Sequence, residues 1–391
     1  MRSRFLRQVL AAYLLCRLFS FVVLAVVAGH QAPVTWTGPH PDYLSMTVLW
    51  DGSWYREIAE HGYPVPLPTD PGTGGLVQNA WAFYPAFPLL ARLLMTVTGL
   101  GFPVVASTLA LVCGAAAAMV IAVLLRDRVG PRVAFAAVLV YATFVASPIL
   151  QVAYTESLAM LLLAGFLLAL SRERWLVASA LALGIGVTRP IAVPLGVVAL
   201  VAVVLRWRRR SGHRLGRGEA VSMVTVLVAC GVAGLAWPAI AWWRTGVRSA
   251  YTDTMATWRS AGEVTPFRPW LDISRYVAGD TFGPTGLAAL VVVLVLMAVG
   301  PWARALGPQL RAWCLAYPAY LGAVLDPWTS IFRYVLPLFP LAVVLVGGGW
   351  GGRTPRGLRW RTGLLVVAGL LAQVWWVWEL YRFVPPSDYP P

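Results

Sequence analysis

Long apolar runs recur along almost the whole chain, and they constrain its fold more than any other feature. Stretches of about 15 to 23 apolar residues, close to the length that crosses a hydrocarbon core, recur between residues 9 and 380. Charged residues make up 12% of the sequence, about half of the roughly 25% found in soluble domains. The sequence therefore predicts an all-α polytopic membrane protein in which residues 1–391 form a single integral membrane domain.

The runs predict about eleven transmembrane helices. They lie at 9–29, 103–125, 133–150, 155–170, 176–187, 191–205, 221–243, 283–300, 309–325, 334–350 and 362–380. The short pair 176–187 and 191–205 has an alternative interpretation as one long helix broken near Arg189 and Pro190. Residues 83–99 are predicted to form an interfacial or re-entrant helix rather than a further span.

The distribution of arginine predicts the orientation. All 31 basic residues are arginines, and beyond the N-terminus they cluster in 126–132, 171–174, 206–217, 303–311 and 351–361. The positive-inside rule makes these segments and the N-terminus cytoplasmic. The net charge of +15 is then a topology signal rather than a nucleic-acid site. Two long loops, about 30–102 and 244–282, are predicted to lie outside the cytoplasm, and the absence of lysine and of organelle signals favours a bacterial plasma membrane.

Two acidic residues on the predicted outer side are candidates for chemistry. The sequence WDGSWYREIAEHGYP (50–64) predicts an amphipathic helix that begins after Asp51 at the membrane surface. Asp51 is either a helix cap or a general base that takes a proton from a hydroxyl group. Glu156 stands where the chain re-enters the membrane, and it is either a favourable charge at a helix N-terminus or a residue that orients the base or binds acceptor hydroxyls.

Three arginines near or inside the apolar runs also need an explanation. Arg189 lies between two short apolar segments and Arg333 lies just outside 334–350, so each either forms a structural ion pair or binds a phosphate. Arg17 lies inside the first span without another charge, and it is expected to have a buried partner.

The remaining candidates are aromatic residues and a metal. Trp50, Trp54 and Tyr55 either anchor the loop at the interface or stack on sugar faces of a substrate. No HExxH motif, Ser-His-Asp grouping or nucleotide-binding glycine loop is present in the sequence. No dedicated metal-ligand cluster is visible either. Asp51 with Glu156 is the one speculative pair, so the participation of a divalent cation stays open and no other cofactor is predicted.

Five blocks of the sequence, in order, resemble the phosphatidylinositol-glycan class V (PIG-V) type of membrane mannosyltransferase in the GT-C superfamily. The blocks are 50–64 (quoted above), AFYPAFPLL (82–90), AYTESLAMLL (153–162), GVTRPIAV (186–193) and FRYVLPLFPL (332–341). The resemblance implies a GT-C-like helical bundle whose long first extracytoplasmic loop carries interfacial helices. In the fourth block, Pro190 and Ile191 stand where eukaryotic relatives usually have a small polar residue and Asn, which puts an acceptor contact by this segment in doubt.

The resemblance also implies an activity. It implies that mannose moves from a polyprenyl-phosphate donor to an extracytoplasmic glycan, lipid or protein acceptor, with inversion at the sugar carbon. Asp51 matches the expected base and Arg333 a position suited to the donor phosphate, whereas Glu156 and Arg189 match less specifically. Two alternatives stay open: a lipid or sugar transporter or flippase of the cell envelope, and a non-catalytic protein of envelope assembly that binds a partner through its outer loop.

Overall fold

The computed structural model describes residues 2–212, 214–259, 262–350, 354–385 and 391. Within these ranges the chain is helical, and β pairing is limited to two isolated bridges, Val34 with Gly38 and Thr69 with Leu76. A helix satisfies its own backbone hydrogen bonds, as a lipid environment requires of a spanning segment. The predicted all-α membrane fold is therefore confirmed. Residues 213, 260–261 and 351–353, which belong to predicted arginine-rich segments and to the second loop, lie outside the described residues.

The helices of the bundle are joined by short turns on one side and by longer loops on the other. The longer helices are α1 (Arg2–Ala28), α5 (Phe102–Ala142), α6 (Glu156–Ser171), α7 (Trp175–Gly186), α8 (Ala192–Arg208), α9 (Arg217–Thr245), α11 (Arg268–Val299), α12 (Gly307–Val324) and α15 (Leu358–Trp376). Five helices in the described ranges are long and apolar enough to cross a membrane: α1, α5, α9, α11 and α15 with its continuation to Tyr381.

Three predicted spans belong to two longer kinked helices. Helix α5 contains the predicted spans 103–125 and 133–150, joined across a kink at Gly130, and it ends at Ala142 rather than at 150. Helix α11 extends well before the predicted span 283–300, and it is kinked at Gly279. Both glycines have a positive φ, a conformation that glycine adopts without steric cost. A glycine can therefore bend a helix that continues beyond it, at a place where the hydrophobic pattern predicts that one helix ends or another begins.

The prediction of a continuous helix over 334–350 is wrong. This region contains only α13 (Ile331–Tyr334), a 3₁₀ turn at Leu336–Leu338 and α14 (Leu341–Leu345). Pro337 and Pro340 interrupt it, because proline lacks the backbone N–H group that a helix needs. The alternative of one long helix across 176–205 is also wrong, since α7 and α8 are separate. The count of about eleven spans is not confirmed.

The arginine-rich segments meet at one end of the bundle, here called the arginine-rich face. Arg172 of the α6–α7 turn pairs with Asp127 of α5 at 2.7 Å. Arg209, after α8, pairs with Glu173 at 2.5 Å, and Arg206 pairs with Glu219 of α9 at 2.6 Å. The predicted grouping of the segments 126–132, 171–174 and 206–217 on one side is therefore present in the fold.

The opposite end, here called the loop face, carries the connection between α1 and α5. This connection contains α2 (Tyr43–Met46), α3 (Asp51–Glu60) and α4 (Ala86–Thr98). Helix α4 has 13 residues and is about 20 Å long at 1.5 Å per residue, too short to cross a core of about 30 Å. A short helix, α10 (Ala250–Ala256), lies in the connection between α9 and α11.

The segment after α15 is fastened to the loop face by several hydrogen bonds. The Gln31 side-chain amide donates to the Phe383 carbonyl (2.7 Å) and accepts from the Phe383 N–H (2.9 Å). The Tyr381 hydroxyl donates to the Met46 carbonyl (2.8 Å), and the indole N–H of Trp50 donates to the Tyr381 carbonyl (2.8 Å). The last helix therefore supports the residues that come immediately before α3.

Candidate functional site: a buried ion-pair network beside an aromatic cavity

Asp51 is the first residue of α3 and lies at the loop face. The residue before it, Trp50, has φ 57° and ψ −123°, which is a strained conformation for a bulky side chain. The fold tolerates this conformation because the Trp50 side chain is 6% exposed and its indole is bound to Tyr381. No side-chain hydrogen bond caps α3. The carboxylate of Asp51 instead accepts a hydrogen bond from the guanidinium of Arg333, so the site, rather than the cap, accounts for its position.

Four predicted site residues form one chain of ion pairs. The same Nη1 of Arg333 that binds Asp51 also lies 3.4 Å from Oε1 of Glu156. Nη1 of Arg189 lies 2.6 Å from that same oxygen of Glu156. Two carboxylates and two guanidiniums alternate, so the network has no net charge. Burial of Glu156 and Arg333 is compatible with their charges because each is paired with opposite charge.

Aromatic rings enclose the two guanidiniums. The Arg333 guanidinium carbon lies 5.4 Å from the centre of the Tyr154 ring and 5.2 Å from that of Tyr334. The Arg189 guanidinium carbon lies 5.1 Å from the Tyr334 ring centre. These distances are within the range of cation–π attraction. The rings therefore hold both arginines in place and keep water away from their ion pairs.

A cavity of about 930 Å³ opens at the loop face next to this network. Its aromatic lining consists of Trp36, Trp50, Trp54, Trp258, Tyr276 and Trp328. Its charged lining consists of Asp51, Glu263, Asp272, Asp326 and Arg268. Apolar rings combined with carboxylate acceptors suit a polyhydroxylated ligand, since the rings contact the C–H faces of a sugar and the carboxylates accept its hydroxyl protons.

Asp51 connects the cavity with the ion-pair network. It is the member of the network that lines the cavity, with a side chain 19% exposed, whereas Arg333 is 7% exposed and Glu156 3%. Arg189, Glu156 and Arg333 line a separate void of about 10 Å³, no more room than one water molecule needs. In this conformation the two arginines orient carboxylates, and a phosphate does not fit between them. Their predicted role in phosphate binding stays a prediction.

The three predicted substrate-binding aromatics occupy different positions. Trp54 lines the cavity and stacks on Phe83, with ring centres 5.6 Å apart and planes 15° apart. Trp50 also lines the cavity, but its N–H group is engaged by Tyr381. Tyr55 points away from the cavity into the packed interior, where its hydroxyl lies 3.3 Å from that of Thr155. Trp54 is therefore the member of this set that is best placed to contact a ligand.

Sequence reasoning missed the far wall of the cavity. Trp258, Arg268, Asp272 and Asp326 come from the connection before α11, from its first turns and from the segment after α12. The signal that was available is the mixture of tryptophan with acidic residues in the second loop and before Arg333. Arg268 is the cationic residue in the described lining, and it lies 3.4 Å from Asp272.

The residues at the site do not fit a divalent cation. Asp51 and Glu156, the pair considered from the sequence, both face the guanidinium of Arg333. Among the described residues, no group of three or more His, Cys, Asp or Glu side chains is arranged to hold a metal ion.

Comparison with known proteins finds a similarity at the level of structure. No protein-family model matches the chain, and no curated protein matches it. The chain is similar to the crystal structure of the Archaeoglobus fulgidus oligosaccharyltransferase tethered with an acceptor peptide containing the NVT sequon via a disulfide bond. The TM-score is 0.47 and the identity 12%, over 96% of this chain and 55% of that one. The chain thus spans about half the length of that glycosyltransferase.

Proposed function

We propose that the protein is an inverting glycosyltransferase that moves mannose from a polyprenyl-phosphate donor to an acceptor hydroxyl bound in the aromatic cavity. One observation carries the proposal. The carboxylate of Asp51 accepts a hydrogen bond from the buried Arg333, and the same side chain lines a cavity whose aromatic rings and carboxylates suit a sugar. A carboxylate placed in this way has a fixed direction and access to a ligand, which are the two geometric requirements of a general base.

In the proposed reaction, Asp51 accepts the proton of the acceptor hydroxyl as its oxygen attacks the anomeric carbon of mannose. The bond between that carbon and the phosphate oxygen breaks on the opposite face, so the configuration at carbon inverts. The lipid phosphate leaves as a stable anion and needs no proton from an acid. Because donor and acceptor are both held at the loop face, their positioning supplies much of the rate enhancement.

The ion-pair network has a positioning role in this proposal. Arg333 fixes the carboxylate of Asp51, Glu156 fixes Arg333, and Arg189 neutralises Glu156. The donor phosphate requires positive charge that faces the cavity, and Arg268 is in that position with a side chain 75% exposed. We assign Trp54 to stacking on the acceptor. The arginine distribution supports a loop face that lies outside the cytoplasm of a plasma membrane, with the N-terminus inside.

The test is transfer of radiolabel from polyprenyl-phosphate mannose in membranes that contain wild-type protein, Asp51→Asn or Glu57→Gln at matched protein levels. Glu57 is a matched control because it is exposed, lies on the same helix and pairs only with His61 in the described structure. We expect label in a new product with wild type and Glu57→Gln, and a loss of about 10²-fold or more with Asp51→Asn.

The outcomes separate the alternatives. Equal transfer by wild type and Asp51→Asn contradicts the assignment of the base. Absence of transfer from mannose, glucose and arabinose donors alike, together with uptake or translocation of labelled lipid in sealed vesicles, contradicts the transferase proposal and favours the transporter. Product from another donor sugar with the same dependence on Asp51 contradicts only the choice of mannose.

A further inference from the structure

Arg17 is a buried cation that the proposed site does not use. It lies in α1, is 3% exposed, and is 11 residues before the end of that helix at the loop face, about 17 Å along its axis. Its guanidinium donates to the carbonyls of Ser147 and Ala142 (the latter at 2.5 Å) and to the Ser147 hydroxyl (2.9 Å). The expected buried partner thus exists, but it is neutral.

The positive charge of Arg17 is therefore only partly compensated. Ala142 is the last residue of α5, and the C-terminus of a helix carries about half of a negative charge. Within the described residues, no carboxylate forms an ion pair with Arg17, and its Nε has no hydrogen-bond partner. A cation at membrane depth ordinarily pairs with an anion or faces a polar cavity. An anion from outside the chain would complete this site.

A cleft of about 410 Å³ gives access to Arg17 from the lipid side. Its walls are Leu14, Leu18 and Phe21 of α1, which are 42–57% exposed, and Val104 and Leu111 of α5. Four polar residues line the same cleft as Arg17: Tyr43, Ser107, Thr108 and Gln151. The lining thus combines apolar side chains that suit an acyl chain with a cation and hydroxyl groups that suit a phosphate.

We propose that the cleft between α1 and α5 binds an anionic glycerophospholipid of the bilayer, whose phosphate is the counter-ion of Arg17. The phosphate lies beside Arg17, Tyr43 and Thr108, and one acyl chain lies along the exposed leucines of α1. The occupant comes from the bilayer because the cleft opens between two helices that face lipid. This inference does not depend on the transferase activity.

The test measures lipid-dependent thermal stability of the purified full-length protein in detergent micelles. Dioleoyl phosphatidylglycerol is titrated, with dioleoylglycerol as the control that lacks the phosphate. We expect a saturable rise in melting temperature with phosphatidylglycerol and none with dioleoylglycerol, because only the former supplies an anion to Arg17.

Two variants locate the effect without disturbing Arg17. Thr108→Phe fills the cleft from an exposed position of α5, and Thr285→Phe places the same ring on an exposed position of α11. We expect Thr108→Phe to weaken phosphatidylglycerol binding about tenfold or more, which corresponds to about 1.4 kcal/mol, and Thr285→Phe to behave as wild type. Native mass spectrometry after delipidation should show phosphatidylglycerol retained by wild type and Thr285→Phe.

Three results would overturn the proposal. They are an equal rise in melting temperature with dioleoylglycerol, an unchanged response in Thr108→Phe, or a response to undecaprenyl phosphate with none to phosphatidylglycerol. The last result would assign the cleft to a polyprenyl lipid instead. The outcome of the lipid-binding test does not depend on whether the protein transfers sugar, so the two proposals are tested independently.

Discussion

Replacement of Glu156 by Gln tests whether the buried network is held together by charge. Gln has nearly the same shape as Glu and keeps an oxygen that accepts a hydrogen bond from Arg189, so the change mainly removes the negative charge. Arg333 still has Asp51, whereas Arg189 loses the only carboxylate with which it pairs in the described structure. Removing one partner of a buried ion pair costs about 3–5 kcal/mol. Because one of the two arginines keeps its partner, we expect the lower end, about 3 kcal/mol.

The assay is equilibrium unfolding in mixed micelles of dodecylmaltoside and sodium dodecyl sulfate. It compares wild type, Glu156→Gln, Arg189→Gln and the double variant. The double variant removes both charges of the pair, so we expect it to recover at least about 1 kcal/mol relative to the sum of the single effects. The pair Arg56–Glu60 is the matched control, since its side chains are 48% and 30% exposed. Its variants should cost less than about 1 kcal/mol and show little coupling.

One result would refute this reasoning. If the effects of Glu156→Gln and Arg189→Gln simply add, as independent sites do, the 2.6 Å contact contributes packing but no charge compensation. Arg189 would then have to be stabilised by the ring of Tyr334 alone, and the role assigned to Arg189, which is to neutralise Glu156, would lose its basis.

Three further predictions concern the cavity wall, the strained residue and the helix packing. Trp54→Ala should raise the KM for the acceptor about fivefold with a smaller change in kcat, measured by steady-state transfer, because a lost stacking contact is worth about 1 kcal/mol. An unchanged KM would exclude Trp54 from the acceptor site. Trp50→Phe should lower the free energy of unfolding by about 1 kcal/mol, because the hydrogen bond to Tyr381 is lost, and it should also lower kcat. Loss of stability with an unchanged kcat would show that Trp50 does not position Asp51. Gly186→Ala should cost about 1–3 kcal/mol in the same unfolding assay, because its new Cβ would lie 2.6 Å from the backbone of Ala233 in α9. The control Gly231→Ala meets no atom within 4 Å and should change stability by less than about 1 kcal/mol. Equal effects of the two variants would show that the close approach of α7 and α9 is not needed.

The sequence predicted the individual charges of the site better than their arrangement. Glu156, Arg189 and Arg333 each stood out because a charge near an apolar run is costly, and Asp51 stood out because an amphipathic helix was predicted to begin after it. Their contacts were not predictable, because Arg333 and Asp51 are 282 residues apart and no local pattern indicates which distant helix ends meet. Trp258 and Asp326 were missed for the same reason, since their importance arises only from the cavity they share with Asp51.

The fold shows the same division between local and distant information. Hydrophobic length located α6, α7, α9 and α12 to within a few residues, because this signal is local. It failed in 334–350, where apolar composition continued although Pro337 and Pro340 prevented a continuous helix. It also failed before 283, because the helical stretch ahead of Gly279 is less apolar and partly charged.

The dependence of Asp51 on Arg333 has a consequence for the order of events during synthesis. The two residues are separated by 282 positions, so at 5–20 residues per second the arginine is made roughly 15 to 60 seconds after the aspartate. During that interval the first loop has the proposed base but neither its counter-ion nor the bond from Trp50 to Tyr381. Under the proposed mechanism, a ribosome-bound chain arrested before Arg333 is therefore expected to be inactive even when its first helices are inserted. Sugar transfer is then expected only after the segments that carry Arg333 and Tyr381 have joined the bundle.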